Sequence, residues 1–178
     1  MNNIGIQLKW AAIITAFACL WAAMEKALGY HDDFSNIIVT AFFYYIILTF
    51  LWAFAFIDKK KSLGKDAVWE FKSALKFGLL LTALLTILSP ISQYIIYESI
   101  SPDYFNNVIK HQLESGNHTK EDLELIHNIN FSIRQGVMNS LSLGVIYSAL
   151  YAWVFKTKKS QINKPVAESV SKTNKKKK

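Results

Sequence analysis

With a single cysteine, Cys19, in 178 residues, the chain can form no internal disulfide. It has no HExxH and no closely spaced Cys/His set, so zinc chemistry has no signature to rest on. It also lacks a Ser/His/Asp nucleophile arrangement, a phosphate-cradling glycine loop and a dinucleotide fingerprint, so catalysis has no support in the sequence. The absence with the largest consequence is charge. Ile37 to Ile57 holds no charged residue over 21 positions. At 1.5 Å per residue, a helix of that length crosses a hydrocarbon core of about 30 Å. Phe77 to Tyr97 is a second uncharged run of 21, and Gly136 to Phe155 is one of 20.

A fourth stretch is less clean. Trp10 to Met24 gives 15 uncharged residues, extended to a full crossing from Lys9 to Gly29 with Glu25 and Lys26 near one end. A cleaved signal or lipoprotein leader is disfavoured there: the positive region is only Lys9 and the amino terminus, and Ala16-Phe17 lead poorly into Cys19. The expected fold is all-α: a polytopic membrane protein with four spans (9–29, 37–57, 77–97 and 136–155) in an up-down bundle. Residues 98–135 form an extracytoplasmic helical hairpin between spans three and four, and 156–178 a disordered basic tail that has too few apolar residues to repay its ordering.

Charge sets the orientation. Residues before the first span, the 58–76 connection and the tail hold 16 of the 20 basic side chains. Lys and Arg resist translocation, so both termini and that connection are expected in the cytoplasm of a bacterial inner membrane, with the remaining loops outside. The net charge of +7 then reflects orientation and contact with anionic lipid headgroups rather than nucleic acid, for which no groove-reading motif exists.

Small residues four apart bring helix backbones close where lipid supplies no hydrophobic drive between them. Span four carries Gly136, Ser140, Gly144, Ser148 and Ala152; span three Ala74, Gly78, Thr82, Thr86 and Pro90; span one Ala11, Thr15, Cys19, Ala23 and Ala27. Span two, with Phe42, Phe43, Tyr44, Tyr45, Phe50, Trp52, Phe54 and Phe56, is bulky on nearly every face and is expected to lie outside a tight three-helix centre. Pro90 removes one backbone hydrogen bond from span three. Trp10, Trp52 and Trp153 at one interface and Tyr30 and Tyr97 at the other read as aromatic belts.

Two constellations are candidates for function. Glu25, Gln93 and Asn139 fall in the outer half of their spans, where Arg134 is the natural counter-ion for Glu25, and together they would make a polar pocket open to the outside. In the hairpin, His111 and Glu114 lie three apart on one arm and Glu124 and His127 three apart on the other, with His118 at the turn. A metal would need these brought together, and no cofactor is otherwise called for. Ser101-Pro102 opens the first arm, which Gly116 ends, and Thr119 caps the second. Tyr104, Phe105, Val108, Ile109 and Leu113, facing Leu123, Leu125, Ile126 and Ile129, give the arms apolar stripes.

The segment Phe71-Lys72-Ser73-Ala74-Leu75-Lys76-Phe77-Gly78-Leu79-Leu80 before span three, with Pro102-Asp103-Tyr104-Phe105, Ser115-Gly116 and Thr119 to Glu121 after it, resembles the bacterial four-span membrane family catalogued as domain of unknown function 4199. The resemblance is best over 66–159. It implies an inner-membrane location and a hairpin between the last two spans, and it transfers no catalytic or ligand residues. Three roles follow as expectations. The first is a non-enzymatic interaction protein whose hairpin meets a partner protein, lipid or its own copy. The second is a small transport or sensing protein using the polar pocket, and the third a metal-dependent enzyme at the hairpin histidines.

Overall fold

The structure, a computed structural model, describes residues 4–34, 36–64, 67–114, 116 and 119–157. Among them every regular element is helical: α1 (Gly5–Ala27), α2 (Tyr30–Asp33), α3 (Ile37–Ser62), α4 (Phe71–Tyr94), α5 (Tyr104–Glu114), α6 (Lys120–Ile126) and α7 (Ile129–Phe155). Past Tyr94, α4 widens into a π-helical stretch, Ile95–Ile100. Four of these, α1, α3, α4 with its π extension and α7, are long and apolar enough to cross a membrane.

The helices outrun the uncharged stretches that announce them. α3 continues through Lys59, Lys60 and Lys61, cations that suit the negative end of a helix. α7 begins seven residues before Gly136 because Asn128 caps it, its Oδ1 accepting from Phe131 N at 2.9 Å. Ile129 therefore belongs to α7 and not to the second arm of the connection, which shortens to the seven residues of α6. Thr119 caps α6 by accepting from Asp122 N at 3.2 Å.

The spans pack in a ring, α1 against α4, α4 against α7, α7 against α3 and α3 against α1, with α4–α7 the tightest seam. Thr82 and Ser148 meet there with their hydroxyl oxygens 3.1 Å apart, and each hydroxyl also donates to the carbonyl four residues back. Gly78 and Thr82 of α4 meet Gly144 and Ser148 of α7 on this seam as the i+4 pattern indicates, whereas Thr86, Pro90 and Ser140 are only half-buried. α1 differs: its buried residues are Gln7, Ala11, Ile14 and Ala22, whereas Thr15, Cys19 and Ala23 are only half-buried and Ala27 is exposed. A strict four-residue stripe drifts about 40° per step on a 3.6-residue helix, so a helix that stays in contact alternates steps of three and four.

One end of the ring is dense. Phe56, fully buried, packs its ring against Trp69, Phe77, Tyr151 and Phe155. Trp52 is 2% exposed and lies against Tyr147, so it fills the core and does not join an interfacial belt. Here Asp58 accepts from Lys9 and from Trp10 Nε1 (2.9 Å), and Lys60 donates to Phe155 O at 2.9 Å. Thr157 N donates to Trp69 O, and Trp69 N to Thr157 Oγ1, both at 2.8 Å. The chain after α7 is thus held as far as Thr157. The rest of the expected tail, 158–178, lies outside the described residues. This lysine-bearing end gathers the start of α1, the α3–α4 connection and the end of α7.

Candidate functional site

Away from the lysine end the ring opens around a cavity of about 480 Å³ lined by all four long helices. Trp52, Leu48 and Tyr147 form its floor, with Tyr147 OH and Thr49 Oγ1 2.9 Å apart behind it. Its polar groups lie higher. On α1, Trp21 and Glu25 are four apart and so share a face, and Trp21 Nε1 donates to Glu25 Oε1 at 3.0 Å. Leu28 ends α1, and Gly29, at φ 82°, takes the left-handed turn that other residues resist. That reversal folds α2 back over Glu25 and places His31 Nε2 3.5 Å from Glu25 Oε2. His31 is 3% exposed, and its Nδ1 has no hydrogen-bond partner. Its imidazole faces the Glu25 carboxyl group and, unlike a lysine or arginine, brings no fixed charge.

The roof comes from the connection between α4 and α7. Tyr104, at the start of α5, meets the His31 ring edge-on at 5.1 Å and the Tyr97 ring at 5.0 Å. Burial pushes the Tyr104 phenol above its ordinary pKa, and the negative charge of Glu25 adds to the shift, so the hydroxyl stays protonated. Asn107 Nδ2 donates to His31 O at 3.3 Å and to Asp32 Oδ1 at 2.8 Å, and Lys26 pairs with Asp32 at 3.0 Å. Phe34, in the left-handed region at φ 56°, packs on both Tyr104 and His111. α5 is therefore docked onto α2 across the cavity's upper end.

Ser89, Ser92 and Gln93 of α4 face Gly136, Asn139 and Ser140 of α7 across the walls. Gly136 makes this possible: a β-carbon there would stand 2.7 Å from Ser89 Oγ and 2.9 Å from Gln93 Cγ. No Lys or Arg is among the described residues that line the cavity.

Of the four residues expected to form a polar pocket, Glu25, Gln93 and Asn139 line this one cavity and Arg134 does not. Arg134 is exposed, with its guanidinium 5.7 Å from the centre of the Phe131 ring. Five residues separate it from Asn139, which turns it about 140° away on the helix. The partner of Glu25 is His31, which sequence reasoning missed because nothing local shows that Gly29 would fold α2 back. Tyr97, expected in an aromatic belt, lines the cavity.

The four possible metal ligands are spread out. His111 packs on Phe34, His127 Nε2 lies 3.0 Å from Gln112 Oε1, and Glu124 pairs with Lys120 at 3.5 Å. Glu114 and Glu124 line a separate hollow between α5 and α6, together with Lys110 and Lys120. Among the described residues no three His, Cys, Asp or Glu side chains come together as a metal site; His118 lies outside them.

Four apolar helices closing around a ligand-sized cavity define a multi-pass helical membrane protein. Residues 9–157 match the model of the family described as protein of unknown function (DUF4199), and the chain belongs to that family. No curated protein and no solved structure matches it.

Proposed function

We propose that this is a non-enzymatic protein of a bacterial inner membrane that binds a small molecule in the cavity between its spans, to sense it or to pass it on. By the distribution of lysine, both termini lie in the cytoplasm, so α5 and α6 and the upper end of the cavity face outward. The observation that carries this reading is Glu25. An ionisable side chain within a span is costly, and this one is paired with His31 at the head of a cavity whose size suits a small ligand. A carboxyl group serving only to end a helix at headgroup level has no need of a buried histidine, an indole donor and an aromatic roof. Native mass spectrometry of the protein released from its own membranes in lipid nanodiscs tests the reading. A small molecule should accompany the wild-type chain and be absent from Ser140→Trp, which fills the cavity. A wild-type spectrum with nothing bound would refute it.

A second reading rests on α6, where Leu125 is 70% exposed and Ile126 43%. These apolar side chains favour contact between the outer segment and a partner protein, the lipid surface or a second copy. Crosslinking in native membranes checks it: a species joined reproducibly through α6 supports it, and none at all speaks against it.

A further inference from the structure

Resting on the cavity reading, we infer that the ligand is an amphiphilic organic ammonium ion, held by its head at Glu25 and admitted from the bilayer between α3 and α7. Three observations carry this.

The first is sign. The cavity is lined by one carboxyl group and one imidazole, with no Lys or Arg among its described lining residues. A phosphate or carboxylate entering it would lose its hydration beside Glu25 and gain no fixed cation. An ammonium ion would find its counter-charge there. The rings around Glu25 add to this: Trp21 and Tyr44 lie 6.0 Å apart, Tyr97 and Tyr104 5.0 Å apart, and all four line the cavity. Aromatic faces bind cations, most strongly where water is excluded.

The second is polarity with depth. Glu25, His31 and Gln93 occupy the upper part, whereas Leu48, Trp52 and Leu143 lie toward the floor. A molecule with one charged end and an apolar body matches that gradient; a small hydrated cation does not.

The third is the side wall. α3 and α7 meet through Thr49, Trp52, Phe56 and Lys60 against Tyr147, Tyr151 and Phe155, all toward the lysine end. Above that level the cavity stands between them. Tyr45 of α3 and Asn139 of α7 both line it, one from each side, and both are solvent-exposed. A polar side chain at an exposed position on a span fits the rim of a lateral opening better than a lipid-facing surface.

The test uses three octyl-chain photoprobes with a diazirine in the chain, ending in a primary ammonium, an alcohol or a carboxylate. Each is added to the full chain in nanodiscs, and labelled peptides are mapped by mass spectrometry. The ammonium probe should label cavity residues such as Tyr44 and Leu143 about tenfold more than the carboxylate probe does, and Glu25→Gln should remove most of that excess. Labelling of the outer helix faces should stay unchanged, which reports that the variant is folded. Ser140→Trp should abolish cavity labelling without altering charge. Equal cavity labelling by all three probes, or an unchanged excess in Glu25→Gln, overturns the ammonium assignment and leaves the cavity reading intact. If every probe labels only outer faces, the cavity reading falls and the inference with it.

Discussion

Gly144 and Thr82 approach so closely that a β-carbon added at Gly144 would lie 2.5 Å from Thr82 Cγ2. The same seam brings Gly78 against Ser148, where an added β-carbon would meet both Ser148 Cβ at 2.7 Å and its backbone Cα at 2.8 Å. Turning the Thr82 side chain moves Cγ2 and Oγ1 but not its Cβ, which would stand 2.9 Å away, whereas at Gly78 the backbone Cα of Ser148 is itself in the way and moves only with its helix. Gly144→Ala should therefore destabilise the protein by about 1–3 kcal/mol, and Gly78→Ala by more. Denaturant unfolding in mixed micelles, followed by far-UV circular dichroism, measures both; an equal and negligible loss would mean that the seam is looser than described.

Glu25 accepts from Trp21 and faces His31, so replacing it tests packing and polarity separately. Glu25→Gln keeps an oxygen that can accept from Trp21 Nε1 and should change stability by less than about 1 kcal/mol. Glu25→Leu leaves a half-buried indole donor without its acceptor and should cost about 1–3 kcal/mol. Thermal unfolding of the two variants side by side gives the difference, and a leucine variant as stable as the glutamine one would contradict the pairing.

The roof is a small interface held by few polar contacts. Asn107→Ala removes both hydrogen bonds to α2 and should weaken the docking of α5 by about 0.5–1.5 kcal/mol per bond, without unfolding the spans. Hydrogen exchange should then speed up in 104–114 and stay unchanged in α4 and α7. Exchange that rises throughout the chain would show α5 to be part of the general scaffold instead.

Phe56 fills the lysine end with ring contacts from three other segments. Phe56→Ala should cost about 3–5 kcal/mol, whereas Val145→Ala, at a position 44% exposed on the outside of α7, should cost far less. Unfolding midpoints of the two variants check the contrast, and equal losses would refute the buried position of Phe56.

The spans could be read from the sequence because a membrane-crossing helix must satisfy its own backbone and therefore needs a long uncharged run, a local property. The α4–α7 seam was legible for a related reason: Gly78, Gly136 and Gly144 recur with Ser and Thr at a spacing that places them on one face. What failed was long-range. Arg134 and Glu25 are at similar depths, but depth does not reveal which way a helix is turned. Trp52 is near a helix end in sequence, yet α3 runs on to Ser62 and leaves it inside the core. His31 became part of the site only through the left-handed Gly29, and Tyr104 only because α5 docks on α2. Both are tertiary contacts that no periodicity announces.

A polar, reachable cavity between the four spans underlies both functional readings of Glu25. Replacing Cys19 with Ala leaves a chain without thiols, into which Ser140→Cys and Leu141→Cys are introduced one at a time. The two positions are neighbours on α7 at nearly the same depth, Ser140 lining the cavity and Leu141 46% exposed on the outer face. A small water-soluble methanethiosulfonate, applied to the membrane face that carries α5, should modify Cys at 140 and spare Cys at 141. Equal protection of both, or faster reaction at 141, would contradict the cavity.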